Sequence, residues 1–260
     1  YNEQECLGSC LESIQWCDDI VVVDSYSTDQ TKAIALEYGV RVVENVFSDF
    51  AQQRNFANDA INFKYDWVFH LDADEHFTEA LRKECNEKIS QYKYGAYLVP
   101  AKEMLWGKWL KHSGNYPTYQ MRFHRLGDAK FIQYGHGQRE SDLKKGMGKL
   151  REPYHHFFMT KGMDRWFIKH LKYAAEEVEN EAKLNTKNLK WSEFLLGSSM
   201  EKRRLLKVCS ARLYFRPFLK LLYMYFFKLG FLDGWVGFRF CLMKAIYEQF
   251  IVLKKLESKI

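Results

Sequence analysis

Residues 69–77 read FHLDADEHF and place three acids, Asp72, Asp74 and Glu75, directly behind the apolar run DWVFHL at residues 66–71. The apolar run predicts a buried β-strand, and the acids follow where that strand ends. In open α/β sheets, ligands bind in the crevice outside the carboxyl ends of the strands. We therefore expect the strand to act as a rigid support that presents the acids to a ligand.

The sequence before this stretch alternates between strand-like and helix-like patterns. Short β-branched runs predict strands at 19–25, 40–46 and 65–71, and apolar residues at helical spacing predict helices between them. We expect Ser27 or Thr28 to cap the first of these helices, Gly39 to end it, and Ser48 to cap the second. This order of elements predicts an α/β fold with a mostly parallel sheet and flanking helices.

The remaining sequence predicts a mixed segment followed by a helical one. A helix is expected at 78–91, and strands are expected at 95–100, 119–125 and 130–135. From residue 163 onward the pattern is helical, with helices expected at 163–186, 191–208, 211–229 and 234–257. We therefore expect an α/β domain at residues 1–160 and a helical extension at residues 161–260. Because the opening YNEQE has no strand before it, we also expect that one strand has been lost there.

The composition is that of a globular protein with an anionic partner. Of the 260 residues, 47% are hydrophobic and 28% are charged, and the formal net charge is +6. The six cysteines form no CxxC pair, which is typical of reduced thiols in a cytosolic protein. The sequence has no uncharged apolar run of roughly 18 residues, so we expect no transmembrane helix. Since the basic residues are interleaved with large aliphatics, we expect no nucleic-acid partner.

Several uses of the acids at residues 72–75 compete. They could cap a helix, hold Mg²⁺ or Mn²⁺ through carboxylate oxygens, or form an acid/base pair for hydrolysis. An EF-hand is excluded because the later glycine and the terminal Glu of that loop are absent. A cation with few protein ligands completes its shell with water and substrate phosphates, which predicts a nucleotide-type donor. The sequence has no GxxxxGK[ST] and no GxGxxG after a strand, which argues against a P-loop and a dinucleotide site.

Four ordered segments resemble family 2 glycosyltransferases, which have the GT-A fold. They are YNEQECLGSCLESI, VVVDSYSTDQT, AQQRNFANDA and WVFHLDADE, and they all lie within residues 1–75. The resemblance is strongest to the bacterial branch that builds lipopolysaccharide cores and capsules, which includes an inner-core β-glucosyltransferase. It implies an inverting transferase that uses a nucleotide sugar, which we expect to be a UDP-sugar. The implied cofactor is a divalent cation, Mg²⁺ or Mn²⁺, and the implied acceptor is a lipopolysaccharide core or lipid-linked saccharide.

The resemblance also implies roles for individual residues. Donor binding is expected at Tyr1, Asn2, Glu3, Asp24, Arg54 and Asp72, and cation binding at Asp74, Asp72 and His156. Glu75 stays open between a supporting role and a cap on the helix that begins near Thr78. His155 could complete the cation's shell, touch a phosphate or simply pack, and Lys161 could pair with the diphosphate or be solvated. Arg122 and Arg125 are three apart on one predicted strand and point to opposite faces, so at most one of them can face the site.

An inverting displacement needs a base that takes a proton from the acceptor hydroxyl. In the family this base is an acid beyond the mixed strands, and the segment YGHGQRESD lies there. The expected base is Glu140, with Asp142 as the second choice. Both are predicted to lie on a flexible loop that could close over the substrate.

The C-terminal helices carry many aromatic residues and one basic stripe. Arg212, Arg216, Lys220 and Lys228 fall four or eight residues apart, which places them along one helix face. Such helices could lie on an anionic membrane with these residues toward the head groups, or they could form core or an oligomer interface. We expect the membrane arrangement, at the cytoplasmic face of a bacterial inner membrane.

Two rival functions stay open from the sequence. One is a nucleotidyltransferase, or a different nucleotide-sugar transferase, on a similar sheet. The other is a non-catalytic nucleotide-binding module with a membrane-adhering tail, which would bind UDP without turnover.

Overall fold

The structure is a computed structural model that describes residues 1–134, 137–182 and 213–258. The chain divides into two compact units. The first contains Tyr1–Trp109 and Asn115–Thr160, and the second contains Leu110–Gly114 and Lys161–Ile260.

The first unit begins with alternating helices and strands. They are α1 (Leu7–Glu12), β1 (Val21–Asp24), α2 (Thr31–Glu37), β2 (Arg41–Glu44), α3 (Phe50–Ala60) and β3 (Trp67–Phe69). Strands β1 and β2 pair in parallel. Their valines pack with Leu7, Leu11 and Ala35 of the first two helices in a small apolar cluster. The predicted order of elements from the first strand to the third is confirmed.

Both predicted helix caps are wrong by a few residues. Helix α3 is capped by Asp49, whose carboxylate accepts a hydrogen bond of 2.8 Å from the backbone N–H of Gln52, and not by Ser48. At α2, the carboxylate of Asp29 accepts from the backbone N–H of Thr31 at 3.0 Å. Ser and Asp are both good caps, so their sequence order alone does not determine which one is used. The predicted end of α2 is confirmed, since Gly39 takes the positive φ of +69° that favours glycine.

Beyond β3 the chain forms a larger mixed sheet. Its further strands are β4 (Glu75–His76), β5 (Ala96–Leu105), β6 (Lys108–Trp109), β7 (Thr118–Arg125), β10 (Met147–Lys149) and β11 (Tyr154–His156), and α4 (Glu79–Gln91) follows β4. The path through the seven-stranded sheet is β3-β7-β5-β11-β4. The expectation of a mostly parallel sheet needs correction, because β7 pairs antiparallel with both β3 and β5. The partner of a strand is a long-range choice that the local pattern does not encode.

Two further strands form a separate hairpin. Strand β8 (Lys130–Tyr134) pairs antiparallel with β9 (Gly137–Ser141), and Phe131 lies opposite Glu140. Asn55 of α3 fastens this hairpin, because its side-chain amide donates to the backbone carbonyl of Phe131 at 2.8 Å. Its side-chain oxygen accepts from the N–H of the same residue at 2.9 Å.

The second unit is helical. It contains α5 (Gly162–Ala182), α6 (Arg216–Leu222), a wide helical turn at Tyr223–Phe227, a tight turn at Gly230–Asp233, and α7 (Gly234–Glu257). The helices expected at 163–186 and 234–257 correspond to α5 and α7. The helix expected at 211–229 begins at Arg216 and continues after Leu222 into the wide turn Tyr223–Phe227. The helix expected at 191–208, together with Arg212, lies outside the described residues.

The predicted basic stripe does not face outward as a unit. The guanidinium of Arg216 pairs with Glu181 at 2.8 Å and donates from its Nε to Glu248 at 2.6 Å. Lys228 donates to the carbonyl of Gly114 at 2.7 Å. The stripe is therefore largely paired within this unit, because acids on α5 and α7 meet it. Helical spacing alone does not identify such partners.

The second unit exposes many aromatic and aliphatic side chains. The exposed fraction of Phe227 is 80%, and that of Trp235 is 65%. Other exposed apolar residues of this unit include Phe215, Phe218, Leu219, Tyr223, Phe226, Phe231 and Leu232. Among the described helices, none is long and apolar enough to cross a membrane.

His124 on β7 allows a test of the core of the first unit. Its ring is fully buried, and neither ring nitrogen has a hydrogen-bond partner within the described residues. Burial, together with the charge of Arg54, lowers the pKa of His124 to about 4. The folded state then binds fewer protons than the unfolded state between the ordinary histidine pKa of about 6.5 and this value. The contribution of the neutral His124 to the unfolding free energy is therefore complete above that range and is lost as the pH falls through it.

We expect His124→Phe to reduce the loss of unfolding free energy between pH 7.5 and pH 5.5 by about 1 kcal/mol. Urea denaturation of the wild type and the variant at both pH values measures this difference. An equal pH dependence in the two proteins would contradict the assignment of His124 as a buried neutral histidine.

Candidate active site at the acidic turn

The acidic motif forms a tight turn between β3 and β4. The backbone N–H of Glu75 donates to the carbonyl of Asp72 at 2.9 Å, and the backbone N–H of Asp72 donates to the Glu75 carboxylate at 2.9 Å. The turn is thus closed by both a backbone and a side-chain hydrogen bond. This closure fixes the direction in which each of the three acids points.

Two arginines hold the first and last acids of the turn. Arg122 of β7 contacts Asp72 at 2.8 Å and Glu75 at 2.5 Å, and Arg54 of α3 contacts the other oxygen of Asp72 at 3.1 Å. Arg122 and Glu75 are each only 2% exposed, and Arg54 is 8% exposed. Two guanidinium groups, of Arg54 and Arg122, and two carboxyl groups, of Asp72 and Glu75, therefore meet at this turn.

The charges in this cluster shift the pKa values of its acids. Burial alone would raise the pKa of Asp72, but the charges of Arg122 and Arg54 outweigh it and hold that pKa below its usual range. For Glu75, burial dominates and raises the pKa of the carboxyl group, although Arg122 opposes the change. Asp72 consequently stays ionised as the counter-ion of both arginines.

Asp74 points away from this cluster and toward His156. Its carboxylate lies 3.5 Å from the Nε2 of His156, and both side chains are 31% exposed. Pairing of β11 with β4 brings them together: His156 lies opposite Glu75 in register, and the N–H of Phe157 donates to the carbonyl of Asp74 at 2.8 Å. Burial opposes protonation of His156, but its hydrogen bond to Asp74 and the charge of that carboxylate raise the pKa above its ordinary value.

This pair meets part of the requirement for a divalent cation. A carboxylate oxygen and an imidazole nitrogen are accepted ligands, and both are accessible here. Both oxygens of Asp72, by contrast, contact guanidinium groups. Within the described residues, no group of three or more His, Cys, Asp or Glu side chains is arranged to hold a metal. The described part of the chain therefore offers Asp74 and His156 as ligands, and a bound cation would take the rest of its shell from water or a phosphate-bearing ligand.

Of the residues expected to bind the donor, Tyr1, Asn2, Glu3 and Asp24 lie around the loop after β1, whereas Arg54 and Asp72 lie at the acidic turn. The backbone N–H of Asn2 donates to the hydroxyl of Ser27 at 2.9 Å, and the Asn2 side chain accepts from the N–H of Thr28 at 2.9 Å. The N–H of Glu3 donates to the hydroxyl of Thr31 at 2.7 Å. Tyr1 is exposed beside them. The opening segment is thus joined to this loop by hydrogen bonds.

Asp24 has partners inside that loop. It is 2% exposed, and its carboxylate accepts from both the backbone N–H and the hydroxyl of Ser27. Ser27 was expected to cap α2, but it donates these two hydrogen bonds to Asp24 instead. The geometry therefore gives Asp24 a part in shaping the loop.

Helices α1 and α3 connect this loop region indirectly to the acidic turn. The thiol of Cys10 lies 3.6 Å from the carbonyl oxygen of Asp72, and the side chain of Gln53 donates to the hydroxyl of Ser25 at 3.3 Å. Gln53 and Arg54 are neighbours on α3, so one helix contacts both regions. All of these residues belong to the first unit.

The predicted base lies on a strand and not on a flexible loop. Glu140 is part of β9, directly opposite Phe131 of β8. Paired residues of an antiparallel hairpin project from the same face. Since the ring of Phe131 lies 5.7 Å from the Arg54 guanidinium, Glu140 is on the hairpin face that meets the arginine cluster. Asp142 follows the strand, is exposed, and has a positive φ of +50°.

Sequence reasoning missed two residues that organise the site. Arg122 was identified only as one of two arginines of which one could face the site, and Asn55 was not singled out. The structure places Arg122 inward, against Asp72, whereas Arg125 is more exposed and pairs with Asp66 at 2.9 Å. The alternation of side chains along a strand was the available signal, but it does not say which face is inward. His155, opposite His76, lies on the face of β11 away from His156.

Comparison with known proteins identifies the class. Residues 1–145 match the family described as "Glycosyl transferase family 2", and the chain belongs to this family. The expected α/β fold of GT-A type is confirmed by this membership and by the architecture of the first unit.

Relatives match over a limited segment. The chain is 36% identical over 94 residues to the lipopolysaccharide core biosynthesis glycosyltransferase LpsC of Rhizobium meliloti, which covers 34% of this chain and 34% of that protein. It is 33% identical over 100 residues to an uncharacterized glycosyltransferase of Rickettsia conorii, covering 38% of this chain and 34% of that protein. The matched segment thus spans about a third of the length of each relative.

A solved structure, TarS of S. aureus in complex with UDP-GlcNAc, is similar with a TM-score of 0.44 at 15% identity. That similarity covers 96% of this chain and 90% of the solved chain, which is the fragment TarS 1-349. At this TM-score it carries no argument about the activity.

The contacts of Asp72 and Asp74 predict effects of different size on stability. Asp72→Asn should lower the unfolding free energy by about 2 kcal/mol, because it leaves two buried guanidinium groups with one carboxylate between them. Asp74→Asn should change the unfolding free energy by less than about 0.5 kcal/mol, because its only ion-pair partner is partly exposed. Urea denaturation measures both, and equal losses in the two variants would contradict this division.

Proposed function

We propose that the protein is an inverting, cation-dependent glycosyltransferase. It would move a sugar from a nucleotide donor, a UDP-sugar, to a lipopolysaccharide-core or other lipid-linked saccharide. The observation that carries the proposal is the accessible pair Asp74 and His156, held beside an arginine-neutralised carboxylate at the end of β3. Family membership supports the reaction class, and the similarity to a Rhizobium lipopolysaccharide core glycosyltransferase supports the acceptor class.

Donor binding is proposed for the edge formed by the opening segment and the loop after β1. Tyr1, Asn2 and Glu3 lie along this loop, and Asp24 sets its shape. Asp72 would lie between this edge and the cation ligands. Arg54 reaches the donor side through Asp72, since its guanidinium is buried and in contact with that carboxylate.

Cation binding is proposed for Asp74 and His156, with Mg²⁺ or Mn²⁺ as the ion. When bound, the ion supplies positive charge next to the diphosphate of the leaving group, where negative charge grows during transfer. Asp74 contributes a hard oxygen ligand and His156 a nitrogen ligand. Asp72 stays paired with Arg54 and Arg122 and thereby holds the turn that carries Asp74.

Glu140 is proposed as the base, with Asp142 as the alternative. Its role is to accept the proton of the acceptor hydroxyl as that oxygen attacks the donor sugar. A carboxylate on a fastened strand suits this role, because the hydrogen bonds of Asn55 to Phe131 limit its movement. The hairpin supports this position, since its inward face meets the arginine cluster.

We also propose that the second unit attaches the enzyme to the cytoplasmic face of a bacterial inner membrane. What supports this is the group of exposed aromatic side chains, led by Phe227 and Trp235. Aromatic rings favour the boundary between lipid head groups and acyl chains. Arg239, whose guanidinium lies 4.6 Å from the centre of the Trp235 ring, adds positive charge beside them. Because the basic stripe is largely paired internally, apolar insertion would contribute more than that stripe.

Release of UDP from a panel of UDP-sugars, with Mn²⁺ or Mg²⁺, tests the transferase proposal. We expect the wild type to release UDP from at least one donor and Asp74→Ala to be slower by about 100-fold, because charge on the leaving group is no longer balanced. Asp66→Ala is the matched control, since Asp66 is 72% exposed and pairs only with Arg125 at the surface.

A wild type that neither binds nor splits any sugar nucleotide with either metal would contradict the proposal. Binding of UDP without turnover would instead indicate the non-catalytic module.

Flotation with liposomes tests membrane attachment. We expect the wild type to float with anionic vesicles, and the double variant Phe227→Ser, Trp235→Ser to lose most of this binding. Leu36→Ser is the control, because Leu36 is 66% exposed but belongs to the first unit. Equal recovery of all three proteins would rule out attachment through this surface, and sedimentation of the wild type would then test it as an oligomer interface.

A further inference from the structure

Arg122 makes all of its side-chain hydrogen bonds in the first unit to one short segment. Its guanidinium donates to the carbonyl of His70 at 3.4 Å, to Asp72 at 2.8 Å and to Glu75 at 2.5 Å. These three acceptors lie on the segment that carries Asp74 between them. Arg122 itself lies on β7, a strand that pairs with β3 and β5. A central strand thus holds the acidic turn through one side chain.

Burial prevents Arg122 from touching a substrate. The residue is 2% exposed, and its charge is met by the acids of the turn. A buried guanidinium is strongly unfavourable unless its partners are well placed, so this arrangement fixes the partners as much as it fixes the arginine. The planar fork of arginine can bridge two carboxylates, which a lysine ammonium does less well.

The contacts divide the motif into two parts. Asp72 and Glu75 are engaged by Arg122, whereas Asp74 is directed to His156. Since the turn is also closed by the hydrogen bonds between residues 72 and 75, moving either held acid moves Asp74 with it. The distance between Asp74 and His156 therefore depends on a residue that touches neither.

We propose that Arg122 is the positioning residue of the cation site, holding Asp72 and Glu75 so that Asp74 and His156 converge on one point. This inference rests on the proposed function, since it concerns the same site. It assigns Glu75 to the support of the turn and not to the cation.

Binding of Mn²⁺ in the presence of UDP, measured by electron paramagnetic resonance without any sugar donor, tests the inference. Arg122→Lys keeps the charge but cannot bridge both acids, and we expect its Mn²⁺ dissociation constant to rise by about 10- to 100-fold. Arg125→Lys is the matched control on the same strand and the opposite face, and its constant should stay within about 2-fold of the wild type. Far-ultraviolet circular dichroism establishes that each variant is folded.

A folded Arg122→Lys variant that binds Mn²⁺ as tightly as the wild type would overturn the inference and leave the proposed function intact. A wild type that binds no Mn²⁺ overturns both.

If Arg122→Lys does not fold, Glu75→Gln carries the test, because it keeps the shape of the side chain and weakens the same bridge. We expect Glu75→Gln to raise the Mn²⁺ dissociation constant about 10-fold or more. An unchanged constant overturns the inference.

Where both single variants fold, the double variant separates support from direct ligation. Two residues that act through one contact should give a double variant no weaker in Mn²⁺ binding than the weaker single variant. Losses that multiply would show that Glu75 acts on the cation independently, and would overturn its assignment as a support.

Discussion

The buried contact of Arg122 with Asp72 and Glu75 is the constraint on which the site depends. Together with Arg54 it makes a cluster of two guanidinium groups and two carboxylates, contributed by α3, β7 and the turn after β3. Arg122, Glu75 and Arg54 are buried and each would be costly to bury without a partner, whereas the Asp72 side chain is 49% exposed and meets both arginines from the solvent side. The turn between β3 and β4 is consequently tied to the formation of the sheet.

Helix α3 connects this cluster to the rest of the site through three consecutive residues. Gln53 contacts the loop after β1, Arg54 pairs with Asp72, and Asn55 fastens the hairpin that bears Glu140. The expected donor edge, cation ligands and base are thus positioned from one rigid element. Such placement suits a reaction in which a hydroxyl, a sugar and a leaving diphosphate must be aligned at once.

Local pattern was sufficient for some elements and insufficient for others. The apolar runs correctly predicted β1, β2 and β3, and the spacing in residues 78–91 predicted α4, because both signals lie within a few residues. The strand β9 was taken for a loop, since its polar segment shows no alternation that marks it as a strand. The expectation that the basic stripe faces outward was wrong for Arg216. This arginine pairs with Glu181 and Glu248, which lie more than thirty residues away from it in the sequence.

The sequence by itself determined the family, the order of the first elements and the candidate acids, because motifs and periodicity are properties of neighbouring residues. Only the tertiary structure decided which acids pair with arginine and which one pairs with His156. Asp72, Asp74 and Glu75 are chemically alike in the chain, and they differ through groups about twenty to eighty positions away: Arg54, Arg122 and His156. Charge balance in a buried cluster depends on distances in space, which no local pattern contains.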